Sequence, residues 1–472
     1  MDTSAFHRVR QDFSLPDGYP RPALDEAERA AATAPAGPRR DATDIPLVTI
    51  DPPGARDLDQ AMAIERVGDG YRVHYAIADV GAFVVPDGEL DQEARRRGQT
   101  LYLPDGKVPL HPPVLSEAVA SLLPDQTAPA ALWTIDLDHR GELVEARVDR
   151  ALVRSRAQLE YQTALAEGHE SIALLPEVGK LRRERAVERG AVELQLPDQR
   201  VERDGDGWRL ALRLRNNTDA WNAEISLLTG VAAAKIMIDA RIGVLRTLPP
   251  VDPEAVEWLR RSAVTLGLDW PAATPVARFL NGLDAARPKV MALYMDATRL
   301  LRGAGYTVFD GAEPELSGHA GIAAPYAHVT APLRRLVDRF ATEVCLAVCA
   351  GEPVPEWVRT ALPTLPALME ASDGLAAKVD RACLDQVEAW VLADRVGEEF
   401  DAVVLRVGAE SAEVFVVEPP VLAKCAGAGL AEGAAIRVRL TGVDLDRRRV
   451  SFAPTTTLVP GRDGGTEGNA RD

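Results

Sequence analysis

The stretch IDPPGARDLDQA, residues 50–61, decides how this chain is to be read. A strand-like run, LVTI (47–50), ends by delivering Asp51, and Pro52-Pro53-Gly54 forces a turn before Asp57 and Asp59. On extended backbone Asp57 and Asp59 point the same way, because side chains alternate across a strand. With Asp51 they form three converging carboxylates, the hard-oxygen set that Mg²⁺ prefers. Such a set suits phosphodiester hydrolysis, in which divalent cations activate a water and stabilise the leaving oxygen. The competing reading is an Asx-rich loop whose carboxylates cap the turn backbone. Spacing alone leaves both open.

Outward from this loop the chain divides by texture. Residues 1–45 read as an N-terminal arm or short helix followed by a linker. Strand-like segments follow at YRVHYAIADVGAFVV (71–85), ALWTIDLD (131–138), GELVEARVDRALVRS (141–155) and GWRLALRLR (207–215). After Asn216 the pattern turns helical, with Trp221, Ile225, Leu228, Ala232 and Ile236 at steps of three and four, and Ala/Leu-rich segments continue to about 395. The spacing therefore predicts an α+β core over 46–395. Residues 396–454 read as four or five short strands of an OB-type barrel, and 455–472 as a disordered tail.

Composition excludes several classes. Hydrophobic residues are 46% and charged residues 26% of 472, a soluble globular mix. No apolar run reaches membrane-spanning or signal-peptide length, so the expected address is the cytoplasm, with no membrane partner. The four cysteines, Cys345, Cys349, Cys383 and Cys425, have neither zinc-ligand spacing nor a CxxC pair; Cys345 and Cys349 share a helix face and read as core. A net charge of −17 argues against indiscriminate coating of nucleic acid, though a local basic channel remains compatible. The basic clusters 95–97, 180–185 and 447–449 read as solvated surface.

Taken together, DPPGARDLDQA, the segment 75–124, SRAQLEYQTALAEG (155–168), RGAVELQLPDQRV (189–201), AWNAEISLLTGVAAAKIM (220–237) and HAGIAAPYAHVTAPLRRLVDR (319–339) resemble, in order, the catalytic core of the ribonuclease II (RNB) family. The resemblance covers roughly 45–395, and the barrel resembles the family's C-terminal RNA-binding domain. It implies a hydrolytic exoribonuclease acting 3′ to 5′ on single-stranded RNA, releasing nucleoside 5′-monophosphates with Mg²⁺ or Mn²⁺. The family's loop has four acidic positions, of which this chain keeps Asp51, Asp57 and Asp59; the fourth is Gln60. Gln60 offers a carbonyl oxygen to a metal but removes one negative charge, which lowers the expected metal affinity.

The same resemblance implies the surrounding roles. Tyr102 and Tyr161 match tyrosines that hold the RNA's 3′ end, a task suited to stacking, which tolerates any base; their bland alternative is a half-buried core tyrosine. Glu224 matches a glutamate near the active site and would position the terminal ribose or a metal-bound water; otherwise it is half of an ion pair with a nearby Arg. In HVTAPLRRLVDR, Thr330 reads as an N-cap and Pro332 as first turn, so Arg334 and Arg335 fall near a helix N-terminus and make an anion site. Arg334 matches the arginine that contacts the scissile phosphate; the alternative is an i,i+4 pair with Asp338.

Three functions compete. The first is the metal-dependent exoribonuclease. The second is a silent RNA-binding protein of the same fold, its metal centre disabled by Gln60. The third, a dehalogenase-type phosphatase using Asp57-x-Asp59, wants Thr or Val just beyond the second Asp, where this chain reads Gln60-Ala61-Met62. Only about 45 residues precede the core, so a short RNA entry path, weaker RNA affinity and a shallow salt dependence are expected.

Overall fold

The computed structural model describes residues 6–458 apart from 193, 195–197, 206, 214–215, 285–286 and 428. Along the chain, helix α1 (His7–Asp12) and helix α2 (Arg21–Ala31) precede strands β1 (Leu47–Asp51), β2 (Gln60–Val67) and β3 (Gly70–Ala78). Helix α3 (Glu89–Arg97) leads to a small hairpin of β4 (Leu101–Leu103) and β5 (Gly106–Val108), then to β6 (Thr127–Leu137) and β7 (Leu143–Glu160). Helix α4 (Leu175–Arg189), a separate hairpin of β8 (Asp198–Asp204) and β9 (Gly207–Arg213), and helix α5 (Asn217–Ala240) follow. Helices α6 (Leu336–Ala350) and α7 (Leu365–Leu392) complete the core.

The main sheet runs β7-β1-β2-β3-β6, and β7 pairs at both of its ends. Its first part is antiparallel to β6, from Leu143 opposite Leu137 to Arg154 opposite Thr127. Its last part is parallel to β1, with Ser155 opposite Leu47 and Glu160 opposite Asp51. One 18-residue strand thus wraps the sheet onto itself. Trp133 and Tyr75, both fully buried, fill the core beneath it together with Trp221, Ile225 and Leu228 of α5. Helix α5 begins where the sequence places it: the Asn216 side chain accepts from the Asp219 N–H and Asp219 accepts in return, a reciprocal cap.

The C-terminal unit is a closed barrel of β10 (Glu399–Val407), β11 (Ser411–Val416), β12 (Val421–Ala426), β13 (Ala435–Asp444) and β14 (Arg449–Leu458), ordered β10-β11-β12-β14-β13. Strand β14 runs to Leu458, so residues 455–458, read from sequence as tail, belong to the barrel; the rest of that tail lies outside the described residues.

Three other expectations change, while the arm holds helix α1 and is docked from residue 6 onward. Phe6 is fully buried edge-on between Trp208 of β9 (5.3 Å) and Trp390 of α7 (5.5 Å). The helix expected from Thr330 starts instead at Leu336, because the preceding backbone pairs sideways: Thr100 N–H donates to the Arg334 carbonyl and Leu336 N–H to the Gly98 carbonyl. Cys345 is core, but Cys349 is exposed one turn on, where α6 ends. Arg182 and Arg185, in a cluster read as solvated, are buried. Among the described residues no helix is long and apolar enough to cross a membrane.

Candidate active site

Strand register brings the first site residues together. Asp51 ends β1 opposite Glu160, which sets Tyr161 beside it. The Pro-Pro-Gly turn reverses the chain, with Gly54 at φ +76° and the Ala55 N–H donating to the Pro52 carbonyl. The return path is pinned at Leu58, whose side chain is fully buried and whose N–H and C=O both bond to a neighbouring segment, through Ser121 Oγ at 2.9 Å and Leu122 N at 3.0 Å. With Leu58 turned inward, alternation turns Asp57 and Asp59 to the other side. Asp51, Asp57, Asp59 and Gln60 all line one cavity of about 610 Å³, which Tyr102, Tyr161 and Arg334 also line.

The carboxylates share this cavity without forming a cage. Among the described residues no group of three or more His, Cys, Asp or Glu is arranged to hold a metal ion, which corrects the expected convergence. The physical reason is that two of the three are engaged by protein donors. Asp57 faces Lys107 Nζ at 2.8 Å and accepts from the Tyr102 hydroxyl at 3.2 Å. Asp59 accepts from the Leu333 N–H at 2.8 Å, and its other oxygen lies 3.3 Å from Arg334 Nε. Asp51 Oδ2 is buried without a hydrogen-bond partner. Burial, with the Asp57 charge adding to it, pushes the Asp51 carboxyl up to about 6. Burial pushes Asp59 up to about 7 against the pull of Arg334 and the Leu333 N–H.

Arg334 ends a turn and Arg335 is the extended residue before α6, and the two side chains diverge. Arg334 stays half-exposed at the cavity. Arg335 is held by both oxygens of fully buried Asp338, each at 2.9 Å, so the partner expected for Arg334 belongs to its neighbour. A second cavity of about 340 Å³ adjoins the first through Tyr102, Arg334 and Asp380, and Arg335, Arg246, Tyr306 and His328 line it.

With this geometry in place, similarity to known proteins identifies the chain. The RNB-domain model matches residues 39–348. The chain belongs to the RNB family. A model of the RNase II-type exonuclease C-terminal S1 domain matches 398–455, the barrel. Ribonuclease R of Vibrio cholerae is 27% identical over 471 residues, covering 88% of this chain and 56% of that protein. Human exosome complex exonuclease RRP44 is 29% identical over 337 residues, covering 66% of this chain and 34% of that protein. The chain thus spans about half or less of these relatives' lengths. By structure it is similar to apo RNase R of Mycoplasma genitalium, with a TM-score of 0.85, 17% identity, and 95% of this chain and 77% of that one covered. It is also similar to yeast Ssd1, described as a pseudonuclease, with a TM-score of 0.72, 16% identity, and 93% and 57% covered. At such identities the likeness is one of fold.

One residue of the expected set stands apart in this RNB domain. Glu224 does not line the carboxylate cavity; it lines another, with Arg182 and Arg189, and its charge acts on buried Arg182. Helical phase explains this. Asn222 and Ser226 turn toward the residues behind that cavity, with Asn222 Nδ2 at 3.4 Å from the Tyr161 hydroxyl and Ser226 Oγ at 2.9 Å from Thr330 Oγ1. Residue 224 is about 200° around the helix from 222 at about 100° per residue, so it points away. The ion-pair alternative therefore fits Glu224. Sequence reasoning also missed Lys107, although a signal was present: Pro104-Asp105 before Gly106 is a hairpin turn that sets Lys107 directly opposite Tyr102.

Proposed function

We propose that this RNB domain is a metal-dependent exoribonuclease that hydrolyses single-stranded RNA from the 3′ end and releases nucleoside 5′-monophosphates. The observation that carries the reading is the single cavity lined at once by Asp51, Asp57, Asp59, Tyr102, Tyr161 and Arg334. The donor set fits a hard divalent cation: its side chains offer oxygen, and one buried Asp51 oxygen has no protein partner. Asp51, Asp57 and Asp59, with the Gln60 carbonyl oxygen, would hold Mg²⁺ or Mn²⁺. Bound there, the ion supplies neutralising charge to the phosphate and a more acidic attacking water.

The protein's own residues do the rest. Tyr102, 52% exposed, offers a face on which a base stacks regardless of identity. Tyr161 is fixed by Asn222 and by Arg213, whose guanidinium lies 5.7 Å from its ring centre, and borders the cavity beside Asp51. Arg334, tethered to Asp59 but 43% exposed, is free to stabilise charge developing on the scissile phosphate.

The test is a 5′-labelled 30-mer single-stranded RNA incubated with the protein and Mg²⁺ or Mn²⁺, beside Asp59→Asn. A shortening ladder with 5′-monophosphate release, lost in Asp59→Asn, supports the reading. Binding without cleavage in either metal overturns it in favour of a silent RNA-binding protein, the reading that Gln60 in the fourth acidic position favours.

A further inference from the structure

Lys107 places a positive charge directly against one of the cavity's acids. The β4–β5 hairpin sets it opposite Tyr102, and its ammonium stands 2.8 Å from Asp57 Oδ1 and 2.9 Å from Glu117 Oε1. All three groups are largely withdrawn from solvent, at 23, 15 and 25% exposure. At the other side of the loop Arg334 stands against Asp59. The three cavity carboxylates are thus already flanked by two protein cations. Gln60 removes a further charge and turns its amide nitrogen to the Thr330 carbonyl. A carbonyl only accepts, so the amide orientation is settled by chemistry, and one neutral oxygen is all that Gln60 has left for an ion.

A second divalent cation sharing Asp57 would sit within a few ångströms of this ammonium. In a partly buried site, repulsion at that range is worth orders of magnitude in affinity. We propose that Lys107 takes the place of a second metal ion, so that the centre holds one divalent cation and Asp57 is committed to Lys107 rather than to bridging two ions. The inference rests on the metal-dependent reading above and deepens it. Lys107 is a positioning residue here: it fixes Asp57 and sets the charge of the site.

Mn²⁺ counting by electron paramagnetic resonance on the full chain tests this without any turnover. Sites are counted as those lost in Asp59→Asn. Wild type should bind one Mn²⁺. Lys107→Met should bind two. Glu117→Gln, which leaves the ammonium less neutralised, should weaken the single wild-type site at least about fivefold. The opposite directions of the two variants are the signature, because a merely structural bridge would weaken binding in both. Two Mn²⁺ in wild type, a Lys107→Met protein that still takes only one, or weakening in both variants overturns the proposal. Binding of no Mn²⁺ by wild type overturns the metal-dependent reading itself, and this inference with it.

Discussion

Replacing Gln60 by glutamate changes one atom's role, and the structure says what that change costs. The Gln60 amide nitrogen donates to the backbone carbonyl of Thr330, which opens the turn carrying Leu333 and Arg334 to Asp59. A carboxylate at the same place cannot donate. The Thr330 carbonyl then loses its partner, worth about 1–3 kcal/mol for a buried acceptor, and faces a negative oxygen, which raises the total to about 3 kcal/mol. With a urea m-value of about 3 kcal/mol/M, the unfolding midpoint of Gln60→Glu should fall by about 1 M at pH 8. The loss should shrink toward pH 5. A protonated carboxyl donates again, so the folded state raises this group's pKa, and the stability present at low pH is lost as pH rises. Gln60→Met, which removes the donor without adding charge, should lose about 1–2 kcal/mol equally at both pH values. Unfolding of Gln60→Glu together with wild type at pH 8 would refute the assignment of the amide as donor.

Arg334→Ala should lower kcat for RNA cleavage at least about 100-fold, the usual size for losing a donor to developing charge, while the thermal midpoint barely moves; a loss under tenfold would count against it. Glu224→Gln should leave cleavage within about threefold of wild type but cost about 2 kcal/mol in urea unfolding, since buried Arg182 loses a charge partner; a hundredfold drop in cleavage would return Glu224 to the active site. Glu388, buried on α7 beneath the barrel with Gln199 and the Leu422 N–H on one oxygen, is pushed up to about 7 by burial. Its neutral form is favoured in the fold, so stability is full below about pH 4.5 and falls by about 3 kcal/mol as pH rises through 7; Glu388→Gln should flatten that slope in unfolding curves at pH 5 and 8, and an unchanged slope would refute it. Leu58→Ala should destabilise by about 2–5 kcal/mol and weaken cleavage along with stability, because the same side chain sets which way Asp57 and Asp59 face.

What could be read from sequence followed from local rules. The Pro-Pro-Gly turn and strand alternation put Asp51, Asp57 and Asp59 on one cavity, and the collinear motifs brought Tyr102, Tyr161 and Arg334 to it. What could not be read depended on other parts of the chain. A helical pattern gives the apolar face of α5 but not the rotation that turns Asn222 and Ser226, rather than Glu224, toward Tyr161 and Thr330. Thr330 and Pro332 have the chemistry of a helix start, yet Gly98 and Thr100 claim the backbone bonds there. Convergence of three carboxylates assumed that they face only one another, whereas Lys107, Tyr102 and the Leu333 N–H reach them from distant segments.

The cavity is lined by residues from Asp51 to Leu384, and Arg334 meets Asp59 across 275 positions of sequence. Chains emerge from the ribosome N-terminus first, at about 5–20 residues per second, so the acidic loop waits some tens of seconds for its arginine and its far wall. During that interval the nascent protein lies beside its own messenger with its carboxylates exposed and its chemistry incomplete. The long-range assembly of the site thus acts as a timer: on the proposed activity, a growing chain cannot cut the transcript that encodes it until the core of the protein has been made.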